Sequence, residues 1–134
     1  MNEIERTLRV FELMDNQRFD VVADLLAPGF MAHIGAHALP ADAWLGMGRM
    51  FYDAFPDGQH TIEDKLQDGD RVVVRGRWTG THTAAAFQGI PAAGRRVEIT
   101  FFSMQRHAEG RVAEHWALFD ALTMMQQLGV VPVG

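Results

Sequence analysis

Residues 60–119 decide the fold, and they read HTIEDKLQDGDRVVVRGRWTGTHTAAAFQGIPAAGRRVEITFFSMQRHAEGRVAEHWALF. This stretch contains four runs rich in β-branched and aromatic residues, which predict strands over 60–67, 71–83, 95–105 and 111–119. Turn-forming residues separate the runs: Asp68-Gly69-Asp70, a Gly/Ala/Pro segment, and Ala108-Glu109-Gly110. Because short turns join antiparallel strands, this half of the chain predicts an antiparallel sheet.

The N-terminal half has a helical pattern instead. Ile4, Leu8 and Phe11 recur at three- and four-residue steps, which predicts an amphipathic helix. A second helix is predicted over 19–26, a short strand over 30–34, and a third helix from Pro40 to the Pro56-Asp57-Gly58 turn. The tail, 120–128, predicts a last helix. Three helices followed by hairpin-connected strands predict an α+β fold with the helices on one face of the sheet.

Composition narrows the class of protein. The length of 134 residues predicts one domain, 1–134, and the 48% apolar and 22% charged content is typical of a globular protein. The net charge of −5, with Lys65 as the one lysine, argues against nucleic-acid binding. Without cysteines, the chain has no disulfides and no thiolate nucleophile. Neither a signal peptide nor an apolar stretch of about 20 residues is evident, so we expect a cytoplasmic protein without a membrane partner.

Alternation along two strands indicates which side chains share a face. Val97, Ile99, Phe101, Ser103 and Gln105 fall on one face of their strand, and this face is the better candidate for the interior. On the last strand, one face carries Ala113, His115, Ala117 and Phe119. Polarity alone does not decide whether that face turns inward.

Several short motifs together resemble a known family. They are Gly80-Thr81-His82-Thr83, Gly89-Ile90-Pro91 followed by Gly94-Arg95, Glu114-His115-Trp116, and Gln127-Leu128-Gly129. Their order and spacing, over nearly the whole chain, resemble the SnoaL-like polyketide cyclase (ester cyclase) family. The resemblance implies a cone-shaped α+β barrel, in which a curved antiparallel sheet wraps around three N-terminal helices and encloses a cavity.

The resemblance also implies a function. Characterised members close a ring of a polyketide by intramolecular aldol condensation, without a metal or an organic cofactor. They are homo-oligomers that pack through the outer face of the sheet, which predicts a homodimer or a higher homo-oligomer here. The expected ligand is an apolar small molecule.

The family's polar site residues do not carry over to this chain. In the alignment that the motifs give, the catalytic aspartate follows Trp116 and falls on Ala117. The assisting glutamine and histidine fall on Phe101 and Ser103, and the assisting asparagine falls on Ala32. The resemblance therefore predicts the fold, while the loss of polar groups puts the polyketide aldol chemistry in doubt.

Histidines are the remaining candidates for acid–base chemistry, because their ordinary pKa lies nearest to neutral pH. His115 is the first candidate, and the alternative is a histidine that is hydrogen-bonded within the sheet. His33 and His82 are expected near the cavity mouth, where they could orient or polarise a ligand, or be structural. Asp120 is a candidate base or, alternatively, the cap of the last helix. His60 is expected in solvent, and the His33/His37 spacing is weak evidence for a metal, so no metal site is predicted.

The predicted ligand-binding residues are mostly aromatic: Trp44, Phe51, Phe87, Phe101, Ser103, Ala117 and Phe119. An aromatic wall suits a flat apolar ligand, although such a stripe can equally be plain core. Two functions stay open at this point. One is a cofactor-independent cyclase or isomerase acting on a polyketide-like or other apolar carbonyl compound. The other is a binding protein without catalytic activity that uses the same cavity.

Overall fold

The computed structural model describes residues 1–133, and it confirms the predicted α+β fold. The helices are α1 (Glu3–Asp15), α2 (Phe19–Leu25), α3 (Ala41–Ala54) and α4 (Ala121–Gln127). The strands are β1 (Leu26–Ile34), β2 (His37–Pro40), β3 (Gln59–Asp68), β4 (Arg71–Thr81), β5 (Arg96–Ala108) and β6 (Arg111–Phe119). No helix within this described range combines the length and apolar composition that a membrane crossing needs.

Helix α1 is set by its first turn and its apolar face. The Asn2 side chain accepts a hydrogen bond from the Glu5 backbone N–H at 2.8 Å, and the Glu5 side chain reaches back to Asn2, which is a capping box. Val10, Phe11 and Met14 recur at helical spacing and face the sheet. This orientation also places Asp15, the last residue of α1, beside α3 and β3.

The strands form one sheet in the order β2-β1-β6-β5-β4-β3. Four neighbouring pairs are antiparallel, but β1 and β6 are parallel, so the prediction of an antiparallel sheet is wrong at this pair. A parallel pair needs a long connection, and the whole segment from β2 to β5 supplies it. Strand β2, which the sequence pattern did not predict, pairs with β1 at the sheet edge. Within the described residues β2 and β3 do not pair, so the curved sheet stays open.

The register of β5 with its neighbours decides what faces inward. Phe101, Ser103 and Gln105 point to the concave side, as predicted, and they lie opposite Phe119, Ala117 and His115 of β6. These pairs bring side chains of the two strands to about 5 Å of each other. The concave face of β5 and β6 therefore carries both apolar and polar groups.

The outer face exposes a cross-strand apolar pair. Phe102 and Leu118 lie directly opposite each other and are 51% and 66% exposed. This is the face through which the sequence predicts homo-oligomerisation. The homo-oligomer stays a prediction.

Gly76, on the concave side of β4, has no room for a side chain. A Cβ there would lie 2.3 Å from the Thr61 backbone oxygen and 2.9 Å from the Phe101 ring. The close approach occurs where the β3–β4 register shifts between Ile62 and Asp64. Glycine at this position therefore leaves room for the Phe101 ring against β4.

We predict that Gly76→Ala lowers the free energy of unfolding by about 1–3 kcal/mol, because the added methyl group overpacks against backbone. Gly46→Ala is the matched control. Gly46 lies in α3, and the methyl group added there would meet nothing within 4 Å, so this change should raise stability by about 0.5–1 kcal/mol. Denaturant unfolding measures both, and equal effects of the two substitutions would contradict the packing explanation.

Candidate active site

A cavity of about 130 Å³ lies between α1, α3 and the concave face of the sheet. Apolar side chains form most of its wall. Six of the seven predicted ligand-binding residues line it: Trp44, Phe51, Phe101, Ser103, Ala117 and Phe119. An apolar protein cavity of roughly 150 Å³ can hold benzene, so this space suits a group of about one aromatic ring.

Phe87 does not line the cavity. Its ring is buried against Phe51 and Phe55, with ring centroids 5.1 and 5.5 Å apart. Backbone hydrogen bonds between Phe87 and Ile90 close a tight loop around it. The prediction of a ligand contact for Phe87 is corrected to a core role, because the loop folds its ring into the apolar cluster next to the cavity.

His115 faces inward from β6 and lines the cavity. Its ring packs against Trp44 at 5.0 Å, and the Gln105 side-chain Nε2 lies 3.1 Å from its Nδ1. Since an amide N–H donates, Nδ1 accepts, and the neutral ring carries its proton on Nε2. Burial, helped by the charges of His60 and His33, lowers the pKa of His115 to about 3. At neutral pH His115 is therefore an uncharged donor and a weak base.

Two buried side-chain polar atoms on the concave face of β5 have no hydrogen-bond partner within residues 1–133. They are Ser103 Oγ and Gln105 Oε1, and both residues are almost fully buried. Ser103 lines the cavity and lies opposite Ala117 on the neighbouring strand. A buried hydroxyl without a partner costs free energy, so Ser103 Oγ is a group that a ligand oxygen could satisfy.

Asp15, Tyr52 and His60 form a second polar group at the cavity. The Tyr52 hydroxyl donates to Asp15 Oδ1 at 2.6 Å, and His60 Nδ1 lies 2.7 Å from the same oxygen. The His60 backbone N–H donates to Asp15 Oδ2 at 2.9 Å. Tyr52 and His60 line the cavity. The centroid of the His60 ring lies 4.8 Å from that of Phe11 and 5.3 Å from that of Phe101. Burial first, and then the Asp15 charge, raises the pKa of Tyr52, which stays protonated.

This group was not predicted from the sequence. His60 was expected in solvent because it falls at a strand end, but β3 begins at Gln59 and turns the His60 ring inward. One signal was present. Asp15 ends α1 without a basic residue in the last turn, and a carboxylate at a helix C-terminus is disfavoured by the helix dipole. Such a residue needs hydrogen-bond donors from elsewhere, and Tyr52 and His60 supply them.

His33 lies on the other side of the sheet from the cavity. Its Nε2 is 2.7 Å from Glu114 Oε2, and its ring stacks on Trp116 at 5.3 Å. Glu114 also accepts from Arg106, and these contacts hold its pKa below the ordinary value. The expected place at the cavity mouth is corrected to the outer face, because the parallel register pairs His33 with Trp116, which also faces outward.

His82 and Asp120 also lie away from the cavity lining. His82 Nε2 donates to the Ala85 carbonyl at 2.8 Å, and its ring stacks on Phe55, which fixes the loop after β4. Asp120 is exposed and caps α4, accepting from the Thr123 hydroxyl and backbone N–H. These bonds lower the pKa of Asp120, which is the opposite of the shift that a base near neutral pH requires. Of the two roles considered for Asp120, the geometry matches the cap.

The four positions that the resemblance aligns with family site residues all lie on the concave side. Phe101, Ser103 and Ala117 line the cavity, and Ala32 is buried on β1 next to His115. No cluster of three or more acidic or histidine side chains suited to a metal ion occurs in residues 1–133.

Known proteins share this architecture. The sequence profile of the SnoaL-like polyketide cyclase family matches residues 5–128. The structure is similar to that of IdmH from Streptomyces antibioticus, a candidate polyketide cyclase. The identity is 31%, 97% of this chain and 100% of that chain are covered, and the TM-score is 0.85. Among curated proteins, no sequence matches significantly.

Two further solved structures share the fold. A candidate SnoaL-like polyketide cyclase from Jannaschia sp. CCS1 has 25% identity and a TM-score of 0.86, with 97% of this chain and 93% of that chain covered. AclR from Streptomyces galilaeus, a candidate hydroxylase, has 21% identity and a TM-score of 0.90, with 98% of this chain and 87% of that chain covered. At that identity, AclR supports the fold alone.

We predict that the His115 ring stays neutral as the pH falls from 8 to about 4, because its folded pKa is about 3. In the unfolded chain the ring gains its proton near pH 6.5, so folding stability is lost progressively from about pH 6.5 down to about pH 3. NMR of the His115 ring nitrogens in the native protein checks that the ring stays neutral over this pH range. A ring that becomes charged near pH 6 in the folded protein contradicts it.

Proposed function

The chain belongs to the SnoaL-like polyketide cyclase family. From that premise we propose that it is an enzyme that catalyses proton transfer without a cofactor. The reaction is a cyclisation or isomerisation of an apolar carbonyl compound held in the cavity. The observation that carries this proposal is the Ser103 hydroxyl, which is buried without a partner among residues 1–133 in a largely apolar cavity that the neutral ring of His115 also lines.

These donors suit the charge that such a reaction develops. Removal of a proton next to a carbonyl leaves an enolate with its negative charge on the oxygen. The Ser103 O–H and the His115 Nε2–H can both donate to that oxygen, and in a water-poor site donors already in place stabilise it strongly. In this role His115 works as an uncharged donor, which agrees with its low pKa of about 3.

The size of the cavity favours a substrate whose buried part is about one ring. The volume of about 130 Å³ lies below the roughly 300–1,000 Å³ of pockets for drug-sized ligands. The wall is largely aromatic and aliphatic, so the ring should be apolar. The similarity to IdmH, a candidate polyketide cyclase, supports a substrate that carries a carbonyl group.

The alternative is a protein that binds such a compound and does not transform it. Ala117 supports this alternative, since it occupies the position where the family alignment expects the catalytic aspartate. The two functions differ in one observable, which is whether carbon-bound hydrogen of a bound ketone exchanges with solvent.

We expect the protein to catalyse deuterium exchange at the CH₂ of 1-phenylpropan-2-one in D₂O, because both the ring and the carbonyl activate that carbon. Proton NMR follows the loss of the CH₂ signal against protein-free buffer. Binding is measured in parallel by calorimetry, with the isosteric alkene 2-methyl-3-phenylprop-1-ene as the matched ligand. Binding of the ketone without any accelerated exchange would support the binding protein and contradict the enzyme.

Ser103→Ala should have opposite effects on stability and function. Removing a buried hydroxyl without a partner should raise the free energy of unfolding by about 1 kcal/mol. Losing its hydrogen bond to the ligand should weaken ketone binding about tenfold and leave alkene binding unchanged. Denaturant unfolding and calorimetry measure the two effects. Unchanged ketone affinity would show that Ser103 does not hold the carbonyl.

A further inference from the structure

We propose that His60, positioned by Asp15, is the catalytic base of this cavity, which the aspartate position that Ala117 now occupies also lines. The inference rests on the proposed function and names the residue that moves the proton. It assigns chemistry to a group of side chains on α1, α3 and β3 rather than on β5 and β6.

The geometry fixes one nitrogen of His60 against a carboxylate and leaves the other, Nε2, without a hydrogen-bond partner among residues 1–133. Nδ1 lies 2.7 Å from Asp15 Oδ1, and because a carboxylate oxygen accepts, Nδ1 carries a proton. In the neutral ring Nε2 then holds the lone pair that can accept a proton. The ring lines the cavity and packs against the Phe11 and Phe101 rings, with ring centroids 4.8 and 5.3 Å apart.

Asp15 is in turn held from two sides. The Tyr52 hydroxyl and the His60 backbone N–H donate to its two oxygens at 2.6 and 2.9 Å. The carboxylate therefore stays fixed beside the imidazole, where it orients the ring and stabilises the imidazolium that forms when Nε2 takes a proton. Asp15 is a positioning residue, because it does not line the cavity itself.

His60 is favoured over the other titratable groups at the cavity for reasons of charge. His115 has a neutral amide as its partner, so its imidazolium lacks a counter-ion in a buried place. Tyr52 is protonated and uses its hydrogen to donate to Asp15. Of the two cavity histidines, His60 is the one with a carboxylate within hydrogen-bond distance.

The reaction step balances without an oxidant or reductant. The Nε2 lone pair of His60 takes a proton from the carbon next to the carbonyl, the C–H electron pair forms the enolate, and the negative charge moves to the oxygen. The Ser103 O–H stabilises that oxygen. In D₂O the Nε2 proton exchanges with solvent and a deuteron returns to the carbon. With a second carbonyl in the substrate, the enolate carbon bonds to it instead, and the new alkoxide takes the proton from Nε2.

The spacing of the two polar groups fits a ring-sized substrate. Phe101 contacts the His60 ring, and Ser103 follows two residues later on the same face of β5, about 7 Å along the strand. A ketone whose carbonyl oxygen meets Ser103 can therefore direct the CH₂ next to that carbonyl along β5 toward Phe101 and His60. This arrangement selects a compound with a polar oxygen and an acidic C–H in neighbouring positions.

The test compares two histidines that have the same nitrogen–oxygen distance, 2.7 Å, to a carboxylate partner. His60→Gln should lower the rate of deuterium exchange into bound 1-phenylpropan-2-one at least 100-fold, with less than a threefold change in the ketone dissociation constant. His33→Gln is the matched control, since His33 also lies 2.7 Å from a carboxylate but on the outer face. It should exchange at the wild-type rate.

The outcomes separate the inference from the proposed function. Wild-type protein that binds the ketone without exchange contradicts the proposed function and the inference with it. Exchange in the wild type that persists at the same rate in His60→Gln overturns the inference alone. A large loss in His33→Gln as well would show that the effect does not come from the cavity.

A second variant keeps the proposal testable if His60→Gln fails to fold. Asp15→Asn conserves size and can still accept a hydrogen bond, but it removes the charge that stabilises the imidazolium. We expect its exchange rate to fall at least tenfold while ketone affinity is kept. In His60→Ala, added imidazole should restore part of the exchange, which a purely structural role of His60 does not predict. A wild-type rate in Asp15→Asn would overturn the inference.

Discussion

The pairing of β5 with β6 is the constraint on which the candidate site depends. It places Phe101, Ser103 and Gln105 opposite Phe119, Ala117 and His115, all on the concave side of the sheet. Because side chains alternate along a strand, a slip by one residue would turn this whole set outward and bring Phe102 and Leu118 into the interior. The sheet register, more than any single residue, therefore decides that one face carries the cavity and the other the exposed apolar pair.

Within that cavity, two histidines have different chemistry because their partners differ. His115 is buried against an amide, and burial holds its pKa at about 3, so it can donate a hydrogen bond but has little capacity as a base. His60 is fixed by a carboxylate that three donors hold in place. Burying a charge is costly unless it is paired. The protein therefore has a hydrogen-bond donor and a paired proton acceptor in one cavity, on strands β6 and β3.

Much of the fold could be predicted from the sequence, because hairpin turns and hydrophobic periodicity are local signals. The inward face of β5 followed from its alternation, and α1 and α3 from their helical spacing. The parallel pairing of β1 with β6 could not be predicted in this way, since it joins segments about 80 residues apart. The same limit applies to the site. Asp15, Tyr52 and His60 come from three elements that only tertiary packing brings together. His33 was expected at the cavity mouth because it follows the first strand, and the parallel register of β1 with β6 places it on the outer face instead.

The central claim is that a carbonyl compound lies between Ser103 and His60. A crystal structure with bound 1-phenylpropan-2-one tests it most directly. The account predicts the ketone oxygen about 2.7–3.1 Å from Ser103 Oγ, and the CH₂ carbon about 3–3.5 Å from His60 Nε2. A ketone bound on the outer face of the sheet, or one in the cavity with its oxygen turned away from Ser103 and its CH₂ out of reach of His60, would contradict it.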